Sequence, residues 1–310
     1  MSSFPFLRLF AVSIGMLLCC IACSDTERVA VDLRTGNQQH KPAGKDTERP
    51  LRMAMGAMIT PKEGFAYYQR LQGYVARKLG RPVELVEREN YAEVSRLLAK
   101  GGADVAFVCS GPYVKGKENS HMELLVMPVV KGESTYYSYI IVPADSPYRT
   151  LDDLRGTRFA FTDPLSHTGT HVPMYLLSLK NETPASFFGH HIYSYGHNMS
   201  IMAVADKVVD GAAVDSLIWE YLAVTTPGLT GKTRIISRSG PYGIPPVVVR
   251  SGLDPGLKRR LAEIFMSAAA DPEGMDILKG MMIEKFVPGD DSNYDSIRRM
   301  YARLPSTMRK

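Results

Sequence analysis

The pattern of apolar and polar residues predicts alternating strands and helices from Leu51 onward. Residues 51–59 form an apolar stretch of strand length. The next apolar residues recur at steps of three and four, as on one face of a helix: Phe65, Tyr68, Leu71, Val75 and Leu79. Further strands are predicted at 83–86, 104–108, 136–142, 158–162, 191–194 and 211–214, with helices over 92–99 and 199–208. This alternation predicts an α/β fold with parallel, doubly wound sheets.

Two segments of the chain share one sequence pattern, which forms an internal echo. Residues 97–111 and 203–217 share one plan, in which a helix end, a small turn and an acidic residue precede a short apolar strand and polar residues. The echo indicates either two lobes of like construction or a generic feature of α/β folds. Ligands of such sheets bind beyond the carboxyl ends of strands. We therefore expect Cys109 and Ser110 in one copy, and Asp215 in the other, to face a ligand.

The segment after the predicted strand 158–162 carries the strongest chemical signal. An Asp-Pro turn is followed by the hydroxyl residues Ser166, Thr168 and Thr170 around Gly169, and then by an apolar helix. A helix amino terminus presents unpaired N–H groups and a partial positive charge, which suits an anion. The hydroxyls would add donors for a tetrahedral oxyanion. The alternative is ordinary capping of the helix by Ser or Thr.

Histidine and cysteine allow other kinds of site. His167 and His171 are four residues apart and could share a helical face, but a metal site would need a third ligand, so we predict no metal. His197 follows a strand and precedes a helix, which is typical either of a cleft residue or of a structural turn. Cys109 and His197 could form a thiol–imidazole pair, yet no spacing demands it and no nucleophile motif is present. We predict neither an enzyme nor a cofactor.

Composition narrows the class of protein. The formal net charge is +5, and basic residues are scattered among acidic ones without a stripe that would bind nucleic acid. A mild positive charge is compatible with anionic ligands. A body of roughly 260 residues suits two lobes of about 100 to 150 residues each.

The amino-terminal residues read as an export signal. Residues 1–23 contain Arg8, an apolar run that is short for a membrane span, and small residues before Cys23. We predict a lipoprotein signal with Cys23 as the lipid-bearing residue; simple secretion and an uncut membrane anchor are the alternatives. Residues 24–50 are polar without apolar periodicity and predict a flexible tether. Cys109 is the only cysteine of the body, so we expect no internal disulfide, and it is either a packed small residue or a contact to ligand.

The chain also resembles the phosphate/phosphite/phosphonate-binding proteins of ABC transporters, the PhnD-like group. The resemblance covers nearly all of residues 51–290 and rests on four pieces: MITPKEGFAYYQRLQGYVARKLG, NYAEVSRLLAKGGADVAFVCSGPYV, DPLSHTGT and YGHNMSIMAVADKVVDGAAVDS. It implies a type II periplasmic binding protein with a ligand cleft between two lobes. The implied boundaries are a first lobe over 51–142, a second lobe over 143–238 and a return to the first lobe over 239–310.

The resemblance also implies site residues, partners and a location. The residues that match its oxyanion turn, cleft histidine and cleft tyrosines are Ser166, His167, Thr168, Gly169, His197, Tyr91 and Tyr136, the last less securely because Tyr137 is adjacent. The implied function is capture of phosphate, phosphite or a simple phosphonate in the periplasm for an ABC permease. We expect a monomer that is anchored to the membrane through the lipid on Cys23.

Two departures from the family pattern bear on the ligand. Residues 239–246 contain no acid where binders of aminoalkylphosphonates have one, which argues against an amino-bearing ligand. Cys109 lies at a strand end that faces the cleft, and a thiolate is a ligand that trivalent arsenic prefers. The alternative function is therefore a sensor subunit that binds arsenite and signals to a histidine kinase.

Overall fold

The computed structural model of the chain describes residues 49–56, 62–119 and 121–305. The expected signal peptide over 1–23, its Cys23 and the tether as far as residue 48 lie outside the described residues. In the part of the chain that is described, no helix combines the length and the apolar character needed to cross a membrane.

The strands in chain order are β1 (Leu51–Met55), β2 (Val83–Glu87), β3 (Val105–Phe107), β4 (Met122–Val129), β5 (Thr135–Pro143), β6 (Arg158–Phe161), β7 (His190–Tyr193), β8 (Gly211–Asp215), β9 (Thr233–Gly243), β10 (Val247–Arg250) and β11 (Lys285–Pro288). The helices are α1 (Lys62–Leu79), α2 (Tyr91–Ala99), α3 (Ser110–Glu118), α4 (Val172–Ser178), α5 (Pro184–Phe187), α6 (His197–Ala205), α7 (Ser216–Thr225), α8 (Pro227–Thr230), α9 (Pro255–Ser267), α10 (Pro272–Gly280) and α11 (Asp295–Arg303).

The first lobe is built on a six-stranded sheet in the order β11-β4-β10-β3-β1-β2. β1 pairs in parallel with β2 and β3, whereas β10 is antiparallel to β3 and β4. Four of the five β1 side chains are buried, as expected for a parallel strand that is covered on both faces. Apolar residues of α1, α9 and α10 pack on one face of the sheet, and those of α2, α3 and α11 pack on the other.

The second lobe is built on a five-stranded sheet in the order β7-β6-β8-β5-β9. β6 pairs in parallel with β7 and β8, and β5 is antiparallel to β8 and β9. The expected lobe boundaries at 142 and 238 differ from this pairing, because they assign β5 to the first lobe and divide β9. An apolar strand pattern predicts a strand but does not encode its partner, which here lies in the second sheet.

Both copies of the internal echo have the same structure. The first is α2, β3 and α3, and the second is α6, β8 and α7. Cys109 is the residue before α3 and Asp215 is the residue before α7, so each echoed strand ends at a helix amino terminus. β6 ends in the same way before a buried turn. The carboxyl ends of strands from both lobes therefore supply the walls of one cleft.

Candidate ligand-binding site

A buried turn over residues 163–171 forms the second-lobe wall of the cleft. Ser166 begins a helical turn, and its Oγ accepts a hydrogen bond from the N–H of Gly169 at 3.1 Å. Residues 167–171 are π-helical and lead into α4. The predicted helix in this segment is confirmed, but its first turn is wider than an α-helix. All the side chains of the π-helical turn are buried, so the polar groups here face protein or ligand instead of bulk water.

The three hydroxyls of this turn differ in what they can donate. The Ser166 oxygen accepts from Gly169, which leaves the hydroxyl hydrogen available. The Thr168 hydroxyl is buried and has no hydrogen-bond partner in the protein. The Thr170 hydroxyl donates to the carbonyl oxygen of Asp163 at 2.8 Å. In this conformation Ser166 and Thr168 can donate to an anion, whereas the hydrogen of Thr170, which was expected to do so, is engaged within the turn.

His197 is held as a neutral donor beside Ser166. Its Nδ1 accepts the backbone N–H of Asp215 at 3.0 Å, so the proton of the neutral ring lies on Nε2. Nε2 is 3.5 Å from the Ser166 hydroxyl oxygen. Burial lowers the pKa of His197 to about 3, so the ring is uncharged at neutral pH. Since both ring nitrogens face these groups, the geometry gives no support to a pair between His197 and Cys109.

Contacts between the two lobes close the cleft. The Asp163 carboxylate of the second lobe accepts the backbone N–H of Tyr91, the first residue of α2, at 3.0 Å. It also accepts the N–H of Leu165 at 2.7 Å. Burial raises the pKa of Asp163, and these two N–H donors partly offset that effect. Tyr91 itself is buried, and burial raises its pKa well above the ordinary value, so its phenol stays protonated.

Cys109 lies where α3 of the first lobe meets the turn of the second. Its Sγ is 3.9 Å from the Tyr136 hydroxyl, and the backbone N–H of His167 also hydrogen-bonds to it. Burial raises the pKa of the thiol to about 11, so Cys109 is protonated at neutral pH. The neighbouring Ser110 hydroxyl donates to the carbonyl oxygen of Gly243 at 2.6 Å, and its hydrogen is therefore engaged.

His167 and His171 are separated by their partners. The His167 ring is fully buried against Tyr242, with ring centroids 4.4 Å apart, and neither of its nitrogens has a hydrogen-bond partner. His171 Nδ1 lies 2.8 Å from the Tyr301 hydroxyl. Burial lowers the pKa of His167 well below its usual value and that of His171 to about 3. No third His, Cys, Asp or Glu joins them among the residues that the structure describes.

Asp215 is the last residue of β8, the second echoed strand, and lies where this strand ends at the cleft. Its side chain caps α7 by accepting the N–H of Leu217 at 2.6 Å. Burial raises the pKa of this carboxyl to about 7. The donors identified in this cleft are uncharged, namely the hydroxyls of Ser166 and Thr168 and Nε2 of His197, while the carboxyls of Asp163 and Asp215 raise the pKa of Tyr91. An anion would therefore be held by neutral N–H and O–H donors, which stabilise one negative charge more readily than two.

The structure adds three residues that the sequence had not indicated. The Ser138 hydroxyl donates to the carbonyl oxygen of Thr168 at 2.6 Å. Ser138 lies two residues after Tyr136 in β5, so the period of a strand would have placed it on the same face. Tyr242 and Tyr301 pack around the histidines of the turn, and no local signal marks them because their partners are distant in sequence.

Two lobes that close over a cleft lined with neutral hydrogen-bond donors define a periplasmic binding protein. A family model described as "ABC transporter, phosphonate, periplasmic substrate-binding protein" matches residues 53–294. The chain belongs to this family, which confirms the predicted fold class and family. Its relatives are substrate-binding components of transporters and not enzymes, as expected.

Individual relatives support the same assignment. The phosphonates-binding periplasmic protein of Escherichia coli is 27% identical over 229 residues, which cover 72% of this chain and 68% of the relative. The phosphate-import protein PhnD of Mycolicibacterium smegmatis is 24% identical over 255 residues, covering 76% and 79%. The crystal structure of a binding protein component of an ABC phosphonate transporter from Pseudomonas aeruginosa is similar in fold, with a TM-score of 0.77, 23% identity and coverage of 82% and 86%.

Proposed function

We propose that this chain captures a small phosphorus oxyanion, namely phosphate, phosphite or a simple phosphonate, and delivers it to an ABC permease. The observation that carries the proposal is the convergence of three donors on one buried turn. The Ser166 hydroxyl oxygen lies 3.5 Å from Nε2 of His197, and the Thr168 hydroxyl, two residues further along the turn, is buried without a partner in the protein. The same turn contacts the first lobe through the hydrogen bonds of Asp163 with Tyr91 and of His167 with Cys109. The relatives described as binding phosphonates and phosphate support this ligand class.

The remaining features of the proposal follow from the sequence and the strand pairing. We propose that the chain works in the periplasm as a monomer, tethered through a lipid on Cys23. We propose lobe boundaries in the two connections between the sheets, near residues 130–134 and 244–246, since β5 and β9 pair with each other. The lack of an acid over 239–246 favours a ligand without an amino group. The carboxyls of Asp163 and Asp215 beside the site favour a ligand with one negative charge over a ligand with two.

Replacing Thr168 with valine tests the proposed site directly. The hydroxyl has no partner in the protein, so its removal should leave the stability of the unliganded chain nearly unchanged. A hydrogen bond to a charged group contributes about 1.5–3 kcal/mol, so affinity for phosphate, phosphite or methylphosphonate should fall about 10- to 100-fold in calorimetric titrations. Thr225→Val is the matched control, because the Thr225 hydroxyl donates to the Tyr221 carbonyl on α7.

Two results would count against this proposal. If the wild-type chain binds none of these anions, the ligand class is wrong. If Thr168→Val binds the preferred anion as tightly as the wild type does, the turn over 163–171 is not the site. A loss of affinity in Thr225→Val as well would point to a general effect on folding.

Arsenite is the second candidate ligand, because the buried Cys109 thiol lies in the same cleft, 3.9 Å from the Tyr136 hydroxyl. The thiol would displace one hydroxyl of arsenous acid to form a sulfur–arsenic bond, and the thiol proton would leave with that hydroxyl as water. The protein would then be the sensory partner of a histidine kinase. Cys109→Ser is expected to abolish arsenite binding while methylphosphonate or phosphate still binds. Arsenite affinity that survives this substitution would exclude the candidate.

A further inference from the structure

A hydrogen bond between His171 and Tyr301 joins the two lobes beside the candidate site. His171 ends the π-helical turn of the second lobe, and its Nδ1 lies 2.8 Å from the Tyr301 hydroxyl of α11. α11 is fixed to the first lobe, because the Tyr113 hydroxyl of α3 donates to Asp291, which also pairs with Arg298 of α11 at 2.6 Å. Opening the cleft therefore separates the tyrosine from the histidine.

The imidazole of His171 is enclosed by parts of both lobes. Only 2% of the residue is exposed, and its ring packs edge-on against that of Tyr301, with centroids 4.7 Å apart. The titratable groups around the pair are Lys115, Glu118 and Cys109 of the first lobe and His167 of the turn. Of these, the Lys115 ammonium acts on the pKa of His171 and opposes a positive charge on its ring.

A positive charge on this ring favours the open cleft over the closed one. Burial, and to a smaller extent Lys115, lower the pKa of His171 to about 3 in the closed form. Once α3 and α11 move away, the ring meets water, where the ordinary pKa of histidine is about 6.5. Between these two values the open form binds a proton that the closed form excludes. Acid therefore stabilises the open form, and closure weakens up to about tenfold for each pH unit below about 6.5.

The other two histidines of the site lack this position between the lobes. Both hydrogen-bond partners of His197 belong to the second lobe. The His167 ring packs against Tyr242 of its own lobe, with centroids 4.4 Å apart, whereas the Tyr301 ring is 5.8 Å away. His171 is thus the histidine of the turn whose side-chain hydrogen bond crosses to the opposite lobe.

We propose that His171 makes ligand capture dependent on pH: the lobes stay closed over the anion while its ring is neutral, and they release the anion when the ring is protonated. The inference rests on the proposed function, because closure is measured through the oxyanion that the turn over 163–171 binds. Tyr301 acts through His171 and is a positioning residue for the closed form.

Calorimetric titration with methylphosphonate over a range of pH tests this inference. His171→Asn keeps a polar side-chain atom near the position of Nδ1 but cannot titrate, and His171→Gln serves if His171→Asn does not fold. Between about pH 6.5 and about pH 4.5, the wild type should lose about 50-fold more affinity than this variant does. Near pH 5.5 the wild type should also release about one more proton on binding, measured in buffers of different ionisation enthalpy.

Two further variants separate the hydrogen bond from the titration. Tyr301→Phe removes the hydroxyl but keeps the titrating imidazole, so its affinity should be about 5- to 100-fold lower, with the pH dependence of the wild type. His190→Gln is the matched control, because His190 is exposed at the start of β7, and it should behave as the wild type does. The ligand and the other titratable groups of the cleft are common to all these chains, so their titration cancels in the comparison.

The outcomes separate this inference from the function on which it rests. A parallel loss of affinity with acid in the wild type and in His171→Asn would overturn the inference and leave the oxyanion site intact. A pH dependence that weakens equally in His190→Gln would also overturn it, because that imidazole is exposed. If the wild type binds neither phosphate nor methylphosphonate at neutral pH, the proposed function fails, and the inference fails with it.

Discussion

Gly111→Ala is expected to weaken ligand binding about 10- to 100-fold without destabilising the unliganded chain. A Cβ atom at Gly111 would lie 2.5 Å from the carbonyl oxygen of Leu165, which belongs to the opposite lobe, and 2.6 Å from the Tyr301 hydroxyl. The tyrosine can rotate away, but the backbone carbonyl cannot move without shifting the turn. Overpacking of this kind costs about 1–3 kcal/mol, and each 1.4 kcal/mol changes an affinity tenfold. Because Leu165 approaches Gly111 only when the lobes are closed, this energetic cost lowers the affinity for ligand and does not destabilise the open form.

The measurement for Gly111→Ala pairs calorimetric titration of the bound anion with thermal melting of the free chain. Gly228→Ala in α8 is the matched control, because no atom lies within 4 Å of the added Cβ. It should bind as the wild type does. Affinity of Gly111→Ala equal to that of the wild type would show that ligand is held without the contact between α3 and Leu165.

Gly169→Ala is expected to destabilise the second lobe itself by roughly 3 kcal/mol. The added Cβ would lie 1.8 Å from Oγ1 and 2.8 Å from Cβ of Thr162, at the end of β6. Both residues belong to one lobe, so opening the cleft does not relieve the clash. For a protein of this size the change corresponds to a fall in melting temperature of about 6–12 °C.

A double variant makes this second prediction specific. The Thr162 hydroxyl is buried without a partner, so Thr162→Ala alone should have a small effect on the melting temperature. Combined with Gly169→Ala, it removes Oγ1, the atom that would lie 1.8 Å from the added Cβ, but keeps Cβ of residue 162, so it should restore part of the lost stability. If the double variant melts as low as Gly169→Ala does, the close approach of the turn to β6 is not the cause of the loss.

Much of the fold could be predicted because its elements carry local signals. Asp254 and Asp271 each precede a proline, and their side chains cap α9 and α10 as the Asp-Pro pairs predict. β9 could not be predicted in this way. Its sequence contains Gly, Pro, Ser and two arginines without alternation, and it is a strand because β5 supplies its hydrogen-bond partners. The same dependence on a distant partner explains why the expected boundary at 142 differs from the sheet that contains β5.

The residues that form the site were more predictable than the hydrogen bonds that their side chains make. The motif around Gly169, His197 and Asp215 could be placed at the cleft because strand ends and helix starts are visible in sequence. The state of each hydroxyl was not visible. Thr168 and Thr170 are the same residue type two positions apart, yet one hydroxyl is unpartnered and the other donates to Asp163. That difference depends on the π-helical turn, which no residue pattern in this segment indicated.

The two connections between the sheets have a kinetic consequence. The chain crosses from the first sheet to the second between β4 and β5 and returns between β9 and β10. Two adjacent crossings allow bending about the line that joins them but resist sliding of one lobe over the other. A ligand enclosed between the turn and α3 then has no lateral exit. We expect ligands of different affinity to share one ceiling on their dissociation rate, set by how often this joint bends and not by the contacts that each ligand makes.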